Sequence, residues 1–333
     1  MIRGSRRSRQ PIREVWTRER LVHERAVALG NVIDKSTLLN YSSALNSYLN
    51  FVRLHDFPVE PTPETLLFYT VYMSHHVNPR SVNTYLSGIS QQLETYFPTV
   101  KEARNSLLVC RTYQGCMRMR GRATICKRAL TVDDLRLVID HYRSSTLHDD
   151  LLFVAMLLTG FFGLLRLGEL TFPNDPSLQN WKKVTRRGTV GLQDTYEFTL
   201  PGHKADRFFE GNRIIIPAHR FSLSPLHHFS HYLTSQDSLH PVSSPLWLTE
   251  AGKVPTRSFF IARLRLFFEK DVAGQSMRAS GATALAEHGV SPAIIQASGR
   301  WASKAFLVYI RKNPTLLQGF LHANTGTSST SPA

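Results

Sequence analysis

The sequence predicts a mainly α-helical protein with a small β-sheet, organised as two domains. Its 333 residues, 42% of them hydrophobic, are enough to form two separate cores. Apolar residues recur at helical spacing along most of the chain, whereas short runs typical of strands are confined to residues 181–216. These observations favour helical domains, with the sheet placed in the second of them.

The excess of basic residues predicts a polyanionic partner. Forty Lys and Arg residues stand against 25 Asp and Glu, which gives a formal net charge of +15. Residues 1–130 carry 19 − 9 = +10 of it, and the remainder carries 21 − 16 = +5. A nucleic acid is the leading partner, and an anionic membrane is the competing one. The longest apolar stretch, residues 151–165, is shorter than the ~18 residues of a membrane span and contains two glycines, so we expect a core helix and no membrane partner.

The first 33 residues are predicted to form a basic arm. The segment MIRGSRRSRQ has no apolar stretch of the kind that a secretory signal contains, which predicts a protein that is not secreted. Its arginine cluster is either a nuclear signal or a solvated tail. We therefore expect a nuclear location in a eukaryotic source and a cytoplasmic one otherwise. In such a reducing compartment the three cysteines should be free thiols.

Residues 34–117 are predicted to form a compact domain of four helices. Asp34 and Ser36 are start signals for a first helix, whose apolar residues recur up to Val52. Further helices are expected over residues 63–75, 80–96 and 101–119, with Pro and Asn in the gaps. Residues 118–129 then lose apolar periodicity and turn basic, which suits a linker that crosses a DNA backbone. The candidate DNA-binding residues of this linker are Arg118, Arg120, Arg122, Lys127 and Arg128.

Residues 130–318 are predicted to form the second domain, with helices around the small sheet. Acidic first turns predict helices that begin after Thr131 and at Asp149. Strand-like runs cover residues 181–184, 196–200 and 213–216, and the second of them alternates apolar and polar side chains. Further helices are expected over residues 226–233 and 257–268, and three more between residues 276 and 312. Residues 319–333 are of low complexity, and we expect a disordered tail there.

One candidate for chemistry on DNA lies inside an apolar segment. Cleaving a phosphodiester without a metal requires a nucleophile, cationic donors for the non-bridging oxygens and an acid for the leaving oxygen. Arginine suits the oxygens because its planar fork stays charged and donates two parallel hydrogen bonds. In TGFFGLLRLGEL, Arg166 would be costly to bury alone, and Glu169, three residues on, can pair with it. This pattern alone is equally typical of a structural ion pair.

A second segment, residues 276–314, carries a more specific pattern. It reads SMRASGATALAEHGVSPAIIQASGRWASKAFLVYIRKNP, in which Arg278 opens a helix and Trp301 and Tyr309 follow. The order and spacing resemble the C-terminal box of the tyrosine recombinases, also called phage-type integrases or DNA breaking-rejoining enzymes. TGFFGLLRLGEL resembles the box of the same family that contains Thr-Gly and then Arg-x-x-Glu. The Ile-Arg pair after Tyr309 is similar to eukaryotic mobile-element members of the Crypton and DIRS type.

The resemblance implies a fold, a reaction and a set of site residues. The second domain would have the α+β fold of the recombinase catalytic domain, and the first would be the family's SAM-like helical core-binding domain. Tyr309 would attack the scissile phosphate and form a 3′-phosphotyrosine intermediate. Glu169 would support the first arginine, and Lys204 would lie at the tip of a β-hairpin. The implied catalytic set is Arg166, Lys204, Gln275, Arg278, Trp301 and Tyr309.

The resemblance also implies the partners of the protein. Double-stranded DNA would be cleaved and rejoined in site-specific recombination or DNA integration, by a tetramer assembled on two DNA sites. No metal, cofactor or small-molecule substrate is implied. The sequence agrees, since its glycines form neither a GxGxxG pattern nor a P-loop. The His227 and His231 pair lacks the intervening Glu and the third ligand of a zinc site.

One position departs from the family pattern. Gln275 stands three residues before Arg278, where the family usually has His. A glutamine can hydrogen-bond a phosphate oxygen, but it cannot relay a proton. Base assistance to the tyrosine would therefore be lost or supplied by another group. His203, next to Lys204, is a candidate substitute.

Three other functions stay open at this point. The glutamine would fit a recombinase-derived protein that binds DNA and no longer cleaves it. A type IB topoisomerase-like enzyme, which relaxes DNA without exchanging strands, would use the same residues. A basic helical interaction module would not bind duplex DNA in a salt-dependent way.

Overall fold

A computed structural model describes residues 14–30, 32–122, 127–202 and 211–301, together with residues 303, 306 and 307. The chain divides into two compact units, Met1–Thr124 and Ile125–Ala333. This division falls inside the predicted basic linker. Each unit has a hydrophobic core of its own, as expected for a domain.

The described part of the first unit is helical. Its helices are α1 (Arg18–Gly30), α2 (Lys35–Leu54), α3 (Pro63–His76), α4 (Pro79–Leu93), α5 (Val100–Asn105) and α6 (Leu107–Arg120). The sequence sets two of the starts directly. The Thr62 side chain accepts a hydrogen bond from the Thr65 amide, and that of Asn78 accepts one from the Arg80 amide. Each capping residue is followed by a proline as the first helical residue.

The first unit differs from the prediction in three places. Helix α1 lies within the predicted basic arm; its described side chains are exposed, so no apolar stripe marks it in the sequence. The helix expected over residues 101–119 is two helices, because Ser106 leaves the helical conformation and its hydroxyl accepts a hydrogen bond from the Val109 amide. Helix α6 continues to Arg120, so residues 118–120 are helical, whereas the linker was predicted to begin at residue 118.

Aromatic side chains of α2 and α3 fill the core of the first unit. Tyr48, Phe51 and Tyr69 are buried, and the ring centres of Tyr48 and Phe51 lie 5.6 and 5.4 Å from that of Tyr69. The Tyr69 hydroxyl donates a hydrogen bond to Ser47 Oγ at 3.0 Å. Burial raises the pKa of Tyr69 to about 12, so the phenol stays protonated and packs as a neutral ring. These contacts fix α2 against α3.

The second unit combines helices with a three-stranded antiparallel sheet of order β1-β2-β3. Its strands are β1 (Gly191–Leu192), β2 (Thr195–Leu200) and β3 (Asn212–Pro217). Its helices are α7 (Val132–His141), α8 (His148–Phe162), α9 (Leu167–Leu170), α10 (Pro225–Leu239), α11 (Arg257–Leu264), α12 (Ser276–Glu287) and α13 (Pro292–Ser298). The last of the three helices predicted between residues 276 and 312, and the predicted tail, lie outside the described residues. The mainly α fold with a small sheet is confirmed.

Short strand-like runs predicted two of the three strands, β2 from its alternation and β3 from its run of isoleucines. Tyr196 pairs with Ile216 and Phe198 with Ile214, and all four side chains are buried on one face of the sheet. The strand predicted over residues 181–184 is wrong, because Trp181–Lys183 forms a single 3-10 turn. The Asn180 side chain accepts a hydrogen bond from the Lys182 amide and so caps that turn.

Helix α8 is the centre of the second core. It corresponds to the predicted apolar core helix, and most of its side chains are buried. In the described ranges, no helix is both long enough and apolar enough to cross a membrane. Helix α12 packs closely against its C-terminal end: a β-carbon added at Gly281 would lie 2.0 Å from the carbonyl oxygen of Phe161. This close approach brings the chain after α8 next to the start of α12, where Arg166 and Arg278 lie.

Three histidines cluster on α10. The ring centre of His227 lies 5.2 Å from that of His228 and 5.9 Å from that of His231. Burial, together with the charges of its two neighbours, lowers the pKa of His228 to about 4. Within the described ranges, no group of three or more His, Cys, Asp or Glu side chains is arranged to hold a metal ion.

The free energy of unfolding of the second unit is expected to fall as the pH drops from 6.5 towards 4. His228 titrates near 6.5 in the unfolded chain and near 4 in the folded one, so the unfolded chain takes up the proton first. The contribution of neutral His228 to the free energy of unfolding is fully present above pH 6.5, and about 2 kcal/mol of it is lost by pH 4.5. Urea unfolding at pH 7 and 4.5 measures this loss, which His228→Gln should largely remove. An identical pH dependence in the variant would contradict the assignment.

Candidate active site

Arg166 lies where the chain turns from α8 into α9. Leu164 has a left-handed φ of +50°, and this sharp turn directs the chain away from the end of α8. Glu169 Oε1 accepts a hydrogen bond from Arg166 Nη1 at 2.8 Å, and Oε2 accepts one from the Arg166 amide at 2.9 Å. The Glu169 side chain is 6% exposed and that of Arg166 is 36% exposed. The predicted pair is therefore formed, and the Arg166 side chain remains partly exposed.

Arg278, in the first turn of α12, is buried beside the same turn. Its Nη1 donates a hydrogen bond to the Leu164 carbonyl at 3.1 Å, and its Nη2 donates one to the carbonyl of Gly299. Its guanidinium carbon lies 4.3 Å from the centre of the Trp301 ring. This is cation–π geometry, so Trp301 holds Arg278 by packing against its flat face.

Gly299 is required by this packing. A β-carbon added there would lie 1.5 Å from Cζ3 of Trp301, which is far inside van der Waals contact. The indole also packs against Phe306, whose ring centre is 5.8 Å away. Only a glycine leaves room for the indole next to this backbone while it also packs on Arg278.

Arg300 belongs to the same cluster, and sequence reasoning missed it. Its side chain is 8% exposed, and its Nη2 lies 3.5 Å from Glu169 Oε2. It donates hydrogen bonds to the carbonyls of Gly163 and Leu164 at 3.3 and 3.0 Å. Burial lowers the pKa of Arg300, and the charge of Arg166 acts in the same direction while Glu169 opposes it. In the sequence, Arg300 is a single charged residue between Gly299 and Trp301. It belongs to no helical pattern of apolar residues that would have predicted its burial.

The cluster carries an excess of positive charge. Glu169 pairs with Arg166 and Arg300, and Arg300 shares the Leu164 carbonyl with Arg278, so the formal charge of these four side chains is 3 − 1 = +2. An excess of charge in a poorly solvated site is costly and favours a bound anion. The arrangement can therefore hold a tetrahedral oxyanion such as a phosphodiester.

The remaining predicted site residues are placed in part. Gln275 is exposed and directly precedes α12, about one turn before Arg278. Lys204, His203 and Tyr309 lie outside the described residues. The lysine, the alternative base and the nucleophile of the proposed reaction therefore stay predictions from the sequence.

The predicted DNA-binding residues are in two different environments. Arg118 and Arg122 are exposed at and after the end of α6, where Arg120 is half-buried. Lys127 and Arg128 instead hydrogen-bond the second unit itself. Lys127 Nζ donates to the carbonyl of Lys270 at 2.6 Å, and Arg128 pairs with Asp134 and Asp271 at 2.6 and 3.0 Å. Two carboxylates compensate the Arg128 charge, so less of it is available to a DNA phosphate.

The fold is similar to those of solved tyrosine recombinases. No protein-family model matches the sequence, and no curated protein does. The integrase of transposon Tn1549, in complex with transposon right end DNA, has a TM-score of 0.58 at 14% identity over 93% of this chain and 99% of that chain. A lambda integrase dimer bound to a COC′ core site has a TM-score of 0.54 at 15% identity over 95% and 99%.

The class of protein follows from these comparisons: the chain has the tyrosine recombinase fold. The fold predicted from the two motifs is thereby confirmed. The finer likeness to Crypton and DIRS members stays a prediction. At this level of identity the comparison concerns the fold, and the chemistry depends on the site itself.

Proposed function

We propose that this protein is a site-specific DNA recombinase or integrase, which cleaves and rejoins duplex DNA with Tyr309 as nucleophile. The observation that carries the proposal is the arginine cluster around Glu169 and the Leu164 carbonyl, built on a fold whose known members include integrases seen with DNA. The net charge of +15 adds a general attraction for the DNA backbone. No small-molecule substrate enters this reaction.

The proposed reaction conserves the energy of the phosphodiester bond. The phenolic oxygen of Tyr309 attacks phosphorus, the bond from phosphorus to the 5′-oxygen breaks, and a 3′-phosphotyrosine and a 5′-hydroxyl result. Lys204 donates the proton that the 5′-oxygen takes up. The phenolic proton goes to solvent or to His203, because the amide of Gln275 cannot accept it at neutral pH. Attack by a 5′-hydroxyl on the phosphotyrosine reverses these steps and rejoins DNA.

In this reaction the arginines stabilise the charge on the two non-bridging oxygens. Arg278 is positioned before DNA binds, because two carbonyls and the Trp301 ring hold its guanidinium. Arg166, whose side chain is partly exposed, binds the second oxygen through its guanidinium. Such preorganised donors stabilise a transition state without reorganisation during the reaction.

The test is the formation of a covalent protein–DNA adduct. The full-length protein is incubated with nicked duplexes carrying the termini of its own element, so that cleavage releases a short strand and traps the intermediate. We expect an adduct on denaturing gels, and mass spectrometry of the digest should place the DNA on Tyr309. DNA binding without an adduct, or an adduct on another residue, would contradict the proposal.

The same assay separates the alternatives. A recombinase-derived DNA-binding protein gives salt-dependent binding and no adduct. A topoisomerase-like enzyme gives an adduct and relaxes supercoiled plasmids as a monomer. Recombination requires two paired target sites, and assembly into a tetramer on them is part of the proposal. Sedimentation of the protein with one and with two sites measures that assembly.

A further inference from the structure

We infer that Arg300 is a positioning residue of the phosphate site, which shares Glu169 with Arg166 and so leaves Arg166 free to hold a phosphate oxygen. This inference rests on the proposed function, because the phosphate is that of the DNA. It assigns Arg300 a role that the family resemblance did not supply.

Arg300 is placed where its charge acts on both predicted arginines. Through its contact with Glu169 Oε2 at 3.5 Å it reaches the partner of Arg166. Through its hydrogen bond to the Leu164 carbonyl at 3.0 Å it shares an acceptor with Arg278, whose own distance to that oxygen is 3.1 Å. Arg300 is thus the one described side chain that contacts the supports of both.

The backbone of Arg300 is built for this position. Its φ of +54° is in the left-handed region, which a residue with a β-carbon rarely adopts. Most of its guanidinium donors are hydrogen-bonded within the protein, since Nη1 donates to the carbonyls of Gly163 and Ser298 at 3.3 and 3.2 Å. Nε is buried without a hydrogen-bond partner among the described residues. Arg300 therefore contacts protein groups through both Nη atoms, and its contact with Glu169 is the one through which it acts on Arg166.

The effect on Arg166 follows from charge sharing. Both oxygens of Glu169 are already hydrogen-bonded to Arg166, through Nη1 and through the backbone amide. Without a second cation, the buried carboxylate would neutralise Arg166 and weaken its attraction for phosphate. With Arg300 Nη2 3.5 Å from Glu169 Oε2, the single carboxylate is shared by two guanidinium groups. It therefore neutralises Arg166 only in part, and Arg166 keeps a net attraction for an anion.

The first test is a double-mutant cycle between Arg300 and Glu169, in which the measured quantity is the rate of adduct formation. Arg300→Gln should lower the rate of adduct formation at saturating nicked duplex by about tenfold, while duplex affinity changes by about twofold or less. In a Glu169→Gln background the same change should cost only about twofold, because the charge that Arg300 offsets is gone. Arg300→Lys should recover part of the rate. An equal loss in both backgrounds would overturn the inference.

The second test does not depend on cleavage, so that it separates this inference from the proposed function. Inorganic phosphate is titrated into the full-length protein while the melting temperature is followed. Arg136→Gln is the matched control, since Arg136 likewise contacts a carboxylate and a backbone carbonyl, those of Asp133 and Phe221, but is exposed and far along the chain from the arginine cluster. Phosphate should raise the melting temperature of the wild type and of Arg136→Gln, and raise that of Arg300→Gln or Arg300→Lys clearly less.

The outcomes are distinct. The wild type forming no adduct would refute the proposed function. If phosphate still raises its melting temperature, and this rise is lost selectively on substitution of Arg300, the role of Arg300 is supported. The absence of any phosphate effect in the wild type, or an equal effect in the wild type and both Arg300 variants, overturns that role. Should Arg300→Gln fail to fold, Arg300→Lys completes both the cycle and the titration.

Discussion

Replacing Arg278 by Gln is expected to lower the rate of DNA cleavage by about 10²- to 10³-fold. Arg278 is 4% exposed, and its guanidinium lies between the Leu164 and Gly299 carbonyls and the face of Trp301. A glutamine carries no charge and has one amide in place of the planar fork, so it cannot neutralise the oxygens of the transition state. The measurement is the single-turnover rate of adduct formation on nicked duplex at saturating protein.

Two further variants serve as controls for this measurement. Tyr309→Phe should give no adduct and sets the floor of the assay. Arg278→Lys keeps the charge but loses the fork that spans two carbonyls, so we expect a rate between those of Arg278→Gln and the wild type. A folded Arg278→Gln protein that cleaved within about fivefold of the wild type would contradict the assignment of Arg278.

Gly281→Ala is expected to destabilise the second unit by about 2 kcal/mol, although alanine normally favours a helix. The added β-carbon would lie 2.0 Å from the Phe161 carbonyl oxygen and 2.5 Å from Leu164 Cδ2. Helix α12 must then move away from the end of α8. The same movement separates Arg278 from the Leu164 carbonyl, so cleavage should fall together with stability.

Gly115→Ala is the control for helix propensity. Gly115 lies in α6, and no described heavy atom lies within 4 Å of a β-carbon added there. This substitution should stabilise the first unit by about 0.5–1 kcal/mol. Urea unfolding of both variants gives the two free energies. A Gly281→Ala protein as stable as the wild type would show that α8 and α12 are not packed as described.

Local signals in the sequence predicted most of the fold. Helix α3 begins at the predicted residue after Thr62, and α4 begins at Pro79, one residue before its predicted start; a capping side chain and a proline mark both starts. Strand β2 follows from alternating side chains, because one face of the sheet is buried, and β3 follows from its run of isoleucines. Helix α1 was missed since it buries no stripe, and residues 181–184 were misassigned because an aromatic and a β-branched residue there lie in a capped turn.

The candidate site was predicted less completely than the fold. Arg166 and Glu169 are three residues apart, so their contact is a local property that spacing reveals. Arg278 and Trp301 were found by likeness to a family motif. Arg300 was missed because its contacts with Gly163 and Glu169 depend on the tertiary fold, and no local rule predicts a buried arginine after a glycine.

The turn at Leu164 ties the chemistry of this protein to the order in which its chain folds. The oxygen that accepts hydrogen bonds from Arg278 and Arg300 is separated from them by 114 and 136 residues of chain. Contacts of such long range close a large loop and are slow to form. During synthesis, the arginines therefore stay dispersed until nearly all of the second unit has been made. A nascent chain carries these positive charges long before it carries the arginine cluster, so the proposed cleavage of DNA requires that the loop be closed first.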